Sequence, residues 1–249
     1  MRHNPRILAV AVLATFLFAV SLPGFATVAS HIGGTSQPRA SVTAAYSPAL
    51  ASPLIYFQNS DYNGAYASQN DTTGFGNFAT SYDNFTLGAS YNIDEVAWIG
   101  SYFNPPNQGT ITGFTLTFYA DNGGQPGAAI WSGFGSGNFG ETFLGFDNAG
   151  DPTFLYDGLL GSPFAAAAGT QYWMSLVPDL AFPPQWGWET GVGGDGAAWQ
   201  DFFGSGGSIP NDLSFALYGT QSTIPEPGSL VLMGTGLLGL AGVVRRKLF

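Results

Sequence analysis

From residue 54 to residue 220, short runs of apolar or alternating side chains are separated by Gly, Asn, Asp and Pro, the pattern of antiparallel strands with one buried face. The clearest run is 112–119, where Phe114, Leu116 and Phe118 alternate with Thr115, Thr117 and Tyr119 and give one strongly apolar face. It stops at Asp121-Asn122-Gly123-Gly124, where Asn and Gly tolerate positive φ, and Pro126-Gly127 leads into a strand at 128–132, a hairpin-like return. Further strands are expected at 82–87, 96–102, 142–146, 153–157, 172–177, 185–189 and 213–218. Eight or more strands with no long amphipathic helix predict an all-β fold, an antiparallel β-sandwich or jelly-roll-like domain over 54–220, its two sheets about 10 Å apart. The Gly-Phe pieces at 74–78 and 133–140 read as loops, not repeats.

The two ends follow different patterns. Residues 1–29 read as a signal peptide with its helix: Arg2 and Arg6, an apolar run over 7–22, the Pro23-Gly24 break, and small residues that permit a cut after Ala26 or after Ala29. That run is shorter than the roughly 20 residues needed to span a bilayer. Residues 30–53, rich in Ala, Ser, Thr and Pro, read as a flexible linker. Residues 221–249 hold Pro225-Glu226-Pro227, an apolar helix at 230–244, and the basic cluster Arg245-Arg246-Lys247. The prolines keep the chain extended, the helix covers about 23 Å of a roughly 30 Å hydrocarbon core, and the cations hold its end on the cytoplasmic side. A span this marginal suits temporary membrane anchoring.

This three-part tail resembles the PEP-CTERM sorting signal of bacterial exported proteins, with Pro225, Glu226 and Pro227 at the motif position. The resemblance implies recognition by a membrane-embedded processing enzyme, an exosortase, which cuts at or near the motif. It also implies delivery to the cell surface or extracellular matrix once signal peptidase has removed the leader. Tails of this kind also carry an ice-binding label, but such a tail is an address and not an activity. The alternative is a permanent C-terminal anchor. The order of pieces in 114–119, 121–127 and Tyr172-Trp173 is also similar to a recurring secreted bacterial β-sandwich or jelly-roll type, which implies no single activity.

Charge narrows the chemistry. Of 249 residues, the six cations are Arg2, Arg6, Arg39, Arg245, Arg246 and Lys247, the histidines are His3 and His31, and there is no cysteine. Residues 40–244 therefore lack Lys, Arg, His and Cys while holding all 16 acids. Ser-His and Cys-His nucleophiles, Schiff-base lysine, arginine phosphate clamps and the usual zinc ligands are excluded, and nucleic acid is not expected as a partner. What survives is carboxylate chemistry. A glycoside hydrolase would draw on Glu95, Glu141 or Glu189, yet no acidic hydrolase motif is recognisable, so no enzyme activity is expected. No cofactor is expected either, with calcium as the exception, since Asp121 with Asn122, Asp147 with Asp151, and Asp61 with Asn63 offer hard oxygen ligands. Their competing reading is solvated turns.

Six tryptophans raise a carbohydrate-binding reading. Trp98, Trp131 and Trp173 fall on expected strands and read as core, whereas Trp186, Trp188 and Trp199 lie in a Gly-, Pro- and Asp-rich stretch, 182–208, whose loops would carry a ligand site. The function expected from the sequence is a structural or adhesive protein of the envelope or matrix. An extracellular polysaccharide-binding module is the alternative, and a carboxylate hydrolase is the distant third.

Overall fold

The protein is described by a computed structural model whose described residues are 30–32 and 52–222. The expected signal helix in 1–29, most of the expected linker and the expected tail from residue 223 onward, with its helix at 230–244, lie outside them; Gln221, expected in the tail, ends β15. Every regular element among the described residues is a strand: β1 (Ser30–Ile32), β2 (Leu54–Ala67), β3 (Gln69–Asp71), β4 (Gly76–Thr86), β5 (Tyr91–Phe103), β6 (Gly113–Asp121), β7 (Pro126–Ser136), β8 (Thr142–Phe146), β9 (Pro152–Ala166), β10 (Gln171–Leu180), β11 (Gln185–Val192), β12 (Ala198–Phe202), β13 (Ser205–Ile209), β14 (Asp212–Leu213) and β15 (Phe215–Gln221). No helix among them is long and apolar enough to cross a membrane.

The strands form two sheets. One has eight strands, ordered β14-β11-β2-β15-β5-β9-β8 with β1 added on β2; the other has seven, ordered β13-β12-β4-β3-β10-β6-β7. Pairing is antiparallel except between β3 and β10. Alternation along each strand sends one set of side chains into a shared core: Phe114, Leu116 and Phe118 of β6, Met174 and Leu176 of β10, Trp98 and Tyr102 of β5, Trp186 and Trp188 of β11, and Phe215 and Leu217 of β15. Aromatic rings fill it, with Trp98 stacked on Tyr156 at 5.7 Å and Phe118 on Phe164 at 4.3 Å. Each large side chain so buried contributes about 1.5–3 kcal/mol, which is how the fold holds without disulfides. A side chain at Gly100 would place its Cβ 2.1 Å from the Trp186 ring, so glycine there makes room for the indole.

The eight-stranded sheet is buried on its other face as well. There Ala97, Ile99, Ala216 and Tyr218 form a second cluster with Tyr62, Leu144 and Leu155.

Several expectations are corrected. Ser30–Ile32, expected as linker, is a strand pairing with β2, and Gly64 admits it: its φ is +132° and an added Cβ would meet the His31 carbonyl at 1.9 Å. The pieces at 74–78 and 133–140 partly belong to β4 and β7, and the stretch 182–208, where a strand is expected only at 185–189, contributes β12 and β13 besides β11. Glycines there serve close packing. An added Cβ at Gly206 on β13 would lie 2.3 Å from Asp201 Oδ1 and 2.9 Å from Trp199 Nε1, so these β12 side chains lie over the glycine.

Candidate functional site

The alternation that buries Phe114, Leu116 and Phe118 turns Thr115, Thr117 and Tyr119 outward on the seven-stranded sheet. Register extends this into a cross-strand row. Trp199 of β12 faces Tyr82 of β4, Tyr82 faces Ser175 of β10, Ser175 faces Thr117 of β6, and Thr117 faces Ser132 of β7. With strands about 4.8 Å apart, the row crosses five of them in roughly 19 Å. Over its middle lies an open groove of about 340 Å³, lined by Tyr82, Tyr119, Thr115, Thr117, Ser175 and Asp179 among others, with Trp199 and Ser132 continuing the row just beyond its two sides.

Hydrogen bonds and ring contacts fix the walls. Tyr82 and Tyr119 meet edge to face at 5.3 Å. The Tyr82 hydroxyl donates to Asp201 Oδ2 at 3.1 Å, Tyr119 shares a hydrogen bond with Ser175 Oγ at 3.0 Å, and Trp199 Nε1 donates to Asp201 Oδ1 at 3.2 Å. At the other end Asn70 Nδ2 donates to Asp179 Oδ1 at 2.8 Å, and Thr117 and Ser132 are joined at 2.9 Å. Burial, then the nearby Tyr119 and Asp201, push the Tyr82 hydroxyl well above the usual tyrosine range, so it stays neutral and a donor. The face therefore offers aromatic edges, hydroxyls, amides and carboxylates, and no cation.

Of the three tryptophans expected to bind ligand, only Trp199 is on this face, half-buried. Trp186 and Trp188 are corrected: both are fully buried in the core, where Trp186 Nε1 donates to Tyr156 at 3.1 Å and Trp188 Nε1 to the Ser214 carbonyl at 2.7 Å. Rings packed on every side cannot stack on a sugar. Trp98 is core as expected, Trp131 is half-buried against it, and Trp173 is buried with Nε1 on Asp121 Oδ1 at 2.8 Å. Sequence reasoning missed Tyr82 and Tyr119; the outward set 115, 117, 119 was a visible signal for the second of them.

The expected calcium ligands do not assemble. Asp121 accepts from Trp173 and from the amides of Gly123 and Gly124, as a turn residue does, while Asn122 closes the hairpin with its own amide on Gln125. Asp147 Oδ1 accepts the Asp151 amide at 2.8 Å, Asp151 pairs with His31, and Asp61 accepts from Asn63 and Thr190. Among the described residues no three acidic or histidine side chains are arranged to hold a metal ion.

A second hollow, about 440 Å³, carries a single carboxylate among its lining residues, Glu141. Its Oε1 accepts from Tyr102 at 2.5 Å and Tyr156 at 2.8 Å, and Oε2 from Gln108 at 2.7 Å. That set fixes the carboxylate in place and supplies no partner acid for hydrolysis.

No curated protein and no solved structure matches the chain. A family model for the PEP-CTERM protein-sorting motif matches residues 223–247, beginning one residue after the described domain ends. By this motif the chain is an exported protein, sorted by an exosortase to the cell surface or beyond and carrying the PEP-CTERM signal at its C-terminal end.

Proposed function

We propose that the domain is an adhesive, non-catalytic module of the cell surface or extracellular matrix, and that the groove on the seven-stranded sheet holds a polysaccharide. The observation that carries this reading is the row Trp199, Tyr82, Ser175, Thr117, Ser132, with its aromatic end and hydroxyl floor. Sugar rings pack their C–H faces against aromatic rings and direct hydroxyls to carboxylates, amides and serine or threonine, which are the groups present. A cation-free face disfavours phosphorylated partners. In this reading signal peptidase removes 1–29, the helix at 230–244 anchors the protein in the membrane between Pro225-Glu226-Pro227 and Arg245-Arg246-Lys247, and exosortase cleavage ends that residence. The hydrolase and calcium readings gain no support from the side-chain arrangement.

Affinity electrophoresis of the tail-free domain through a panel of polysaccharides tests the binding role. Retardation is expected in at least one gel, reduced at least tenfold in affinity by Trp199→Ala or Tyr119→Ala in variants that still melt cooperatively. Uniform failure to bind would leave a matrix role without glycan recognition. The processing claim has its own test: mass measurement of surface material should find Phe249 gone.

A further inference from the structure

The outer face of the eight-stranded sheet contains a group of buried acids that the groove does not use. On β11 the alternation that turns Trp186 and Trp188 into the core turns Glu189 to this other face. His31 of β1, Ala65 of β2 and Glu189 lie in one cross-strand row. The turn between β8 and β9 brings Asp147 over it, and β5 brings Ser101; both bear directly on the Glu189 carboxyl. Glu189 and Ser101 are 0% exposed and Asp147 is 5% exposed.

The turn is fastened on three sides. Asp147 Oδ1 accepts the Asp151 amide, the Asn148 amide donates to the Tyr62 carbonyl of β2 at 2.8 Å, and Asp151 Oδ2 contacts His31 Nδ1 of β1. At the centre, however, both Glu189 oxygens, Asp147 Oδ2 and Ser101 Oγ find no hydrogen-bond partner outside their own group. Among the described residues no Lys or Arg is present to supply the deficit, and His31 is engaged by Asp151. The remaining facing acid, Asp61 of β2, is occupied by Thr190 and Asn63. Two bare carboxylates in a dry site repel each other, while one proton turns an acceptor into a donor and joins them.

We propose that Glu189 keeps its proton in the folded protein at neutral pH and donates it to Asp147, and that this hydrogen bond latches the β8–β9 turn, and through Asp151 and His31 the strand β1, onto the sheet. Consistent with this geometry, burial, with the Asp147 charge next, holds Glu189 well above the usual carboxylate range. The sign of the pH dependence follows. An acid whose folded pKa is raised binds its proton more tightly in the folded state. Its contribution is therefore complete below the ordinary glutamate value and is lost as pH rises through the folded one. The latch opens in base, not in acid.

Infrared spectroscopy of the exported protein reads the proton directly. A Glu189-dependent protonated-carboxyl band should be present at pH 7 and be lost in Glu189→Gln, whose amide donates to Asp147 in the proton's place, while any band of Asp83, another fully buried acid held well above the usual carboxylate range, remains; Asp147→Asn, which donates the other way, is the second variant should the first fail to fold. Hydrogen exchange at the Asn148 and Asp151 amides should speed up at least tenfold between pH 6 and pH 9 beyond the intrinsic rate, and this excess should vanish in either variant. Absence of the band at pH 7, or an unchanged excess in a folded variant, would overturn the proposal. So would calcium chloride slowing exchange at the turn and EDTA reversing it, since an ion would then occupy the place of the proton.

Discussion

The two sheets share one core but treat their outer faces in opposite ways. The eight-stranded sheet, which includes β1, covers its outer face with Tyr62, Leu144, Leu155 and the β8–β9 turn, and buries Ala97, Ile99, Glu189 and Ser101 there. On the seven-stranded sheet the outer face stays open, lined by hydroxyls, amides and tyrosines around a groove. In a domain almost without cations, acids on the open face are satisfied by neutral donors, as Asp179 is by Asn70 and Asp201 by Tyr82 and Trp199. On the covered face donors run short, and the pair Glu189 and Asp147 needs a proton. Cover thus decides whether a carboxylate is a binding group or an electrostatic cost.

Paired substitutions on the two faces test this contrast. The largest effect is expected at Ile99, which points away from the shared core: Ile99→Ala should cost about 2–5 kcal/mol in urea unfolding, as a core truncation does. Thr117→Ala on the open face should cost far less; equal losses would mean that the faces do not differ. Next is Gly64→Ala, which sets a Cβ against the His31 carbonyl at a φ that side chains avoid. It should detach β1, giving fast exchange of the Ser30–Ile32 amides and a loss of about 1–3 kcal/mol. Trp199→Ala should cost only about 1 kcal/mol, through its lost bond to Asp201 and its packing over Gly206, while lowering affinity for polysaccharide at least tenfold. The smallest effect concerns calcium: millimolar calcium should leave the melting temperature where it was, and a rise of several degrees would restore a cation centre.

Strand pattern was the most legible feature. The expected strand at 142–146 coincides with β8, and those at 112–119 and 185–189 lie within or against β6 and β11, because alternation records which face is buried. The sorting motif was equally plain, being linear. Trp186 and Trp188 misled because Gly187 gives their surroundings the composition of a loop. Its actual role is close approach, since a Cβ there would lie 2.7 Å from the Phe103 ring. The groove was only half legible. Thr115, Thr117 and Tyr119 declare an outward face, but Tyr82, Ser175 and Trp199 join them through registers between strands far apart in the chain, and no local pattern encodes those. The three-residue β1 depends on a pairing with Gly64 that its own residues do not announce.

One feature of the chain path bears on how such a domain is presented. β15 ends beside Tyr91, and the Ser222 amide donates to the Ser90 carbonyl where the chain leaves the domain towards the sorting tail. β5 runs from Tyr91 for 13 residues, about 43 Å, to Phe103, which packs with Phe78, Phe182 and Phe202 beneath Phe75 and Phe203, exposed at 57% and 58%. The leash and the phenylalanine cap are thus opposite poles. If the proposed anchoring holds, a tethered copy would meet its surroundings cap first, with the groove along its flank, and cleavage would free the molecule to turn without changing either surface.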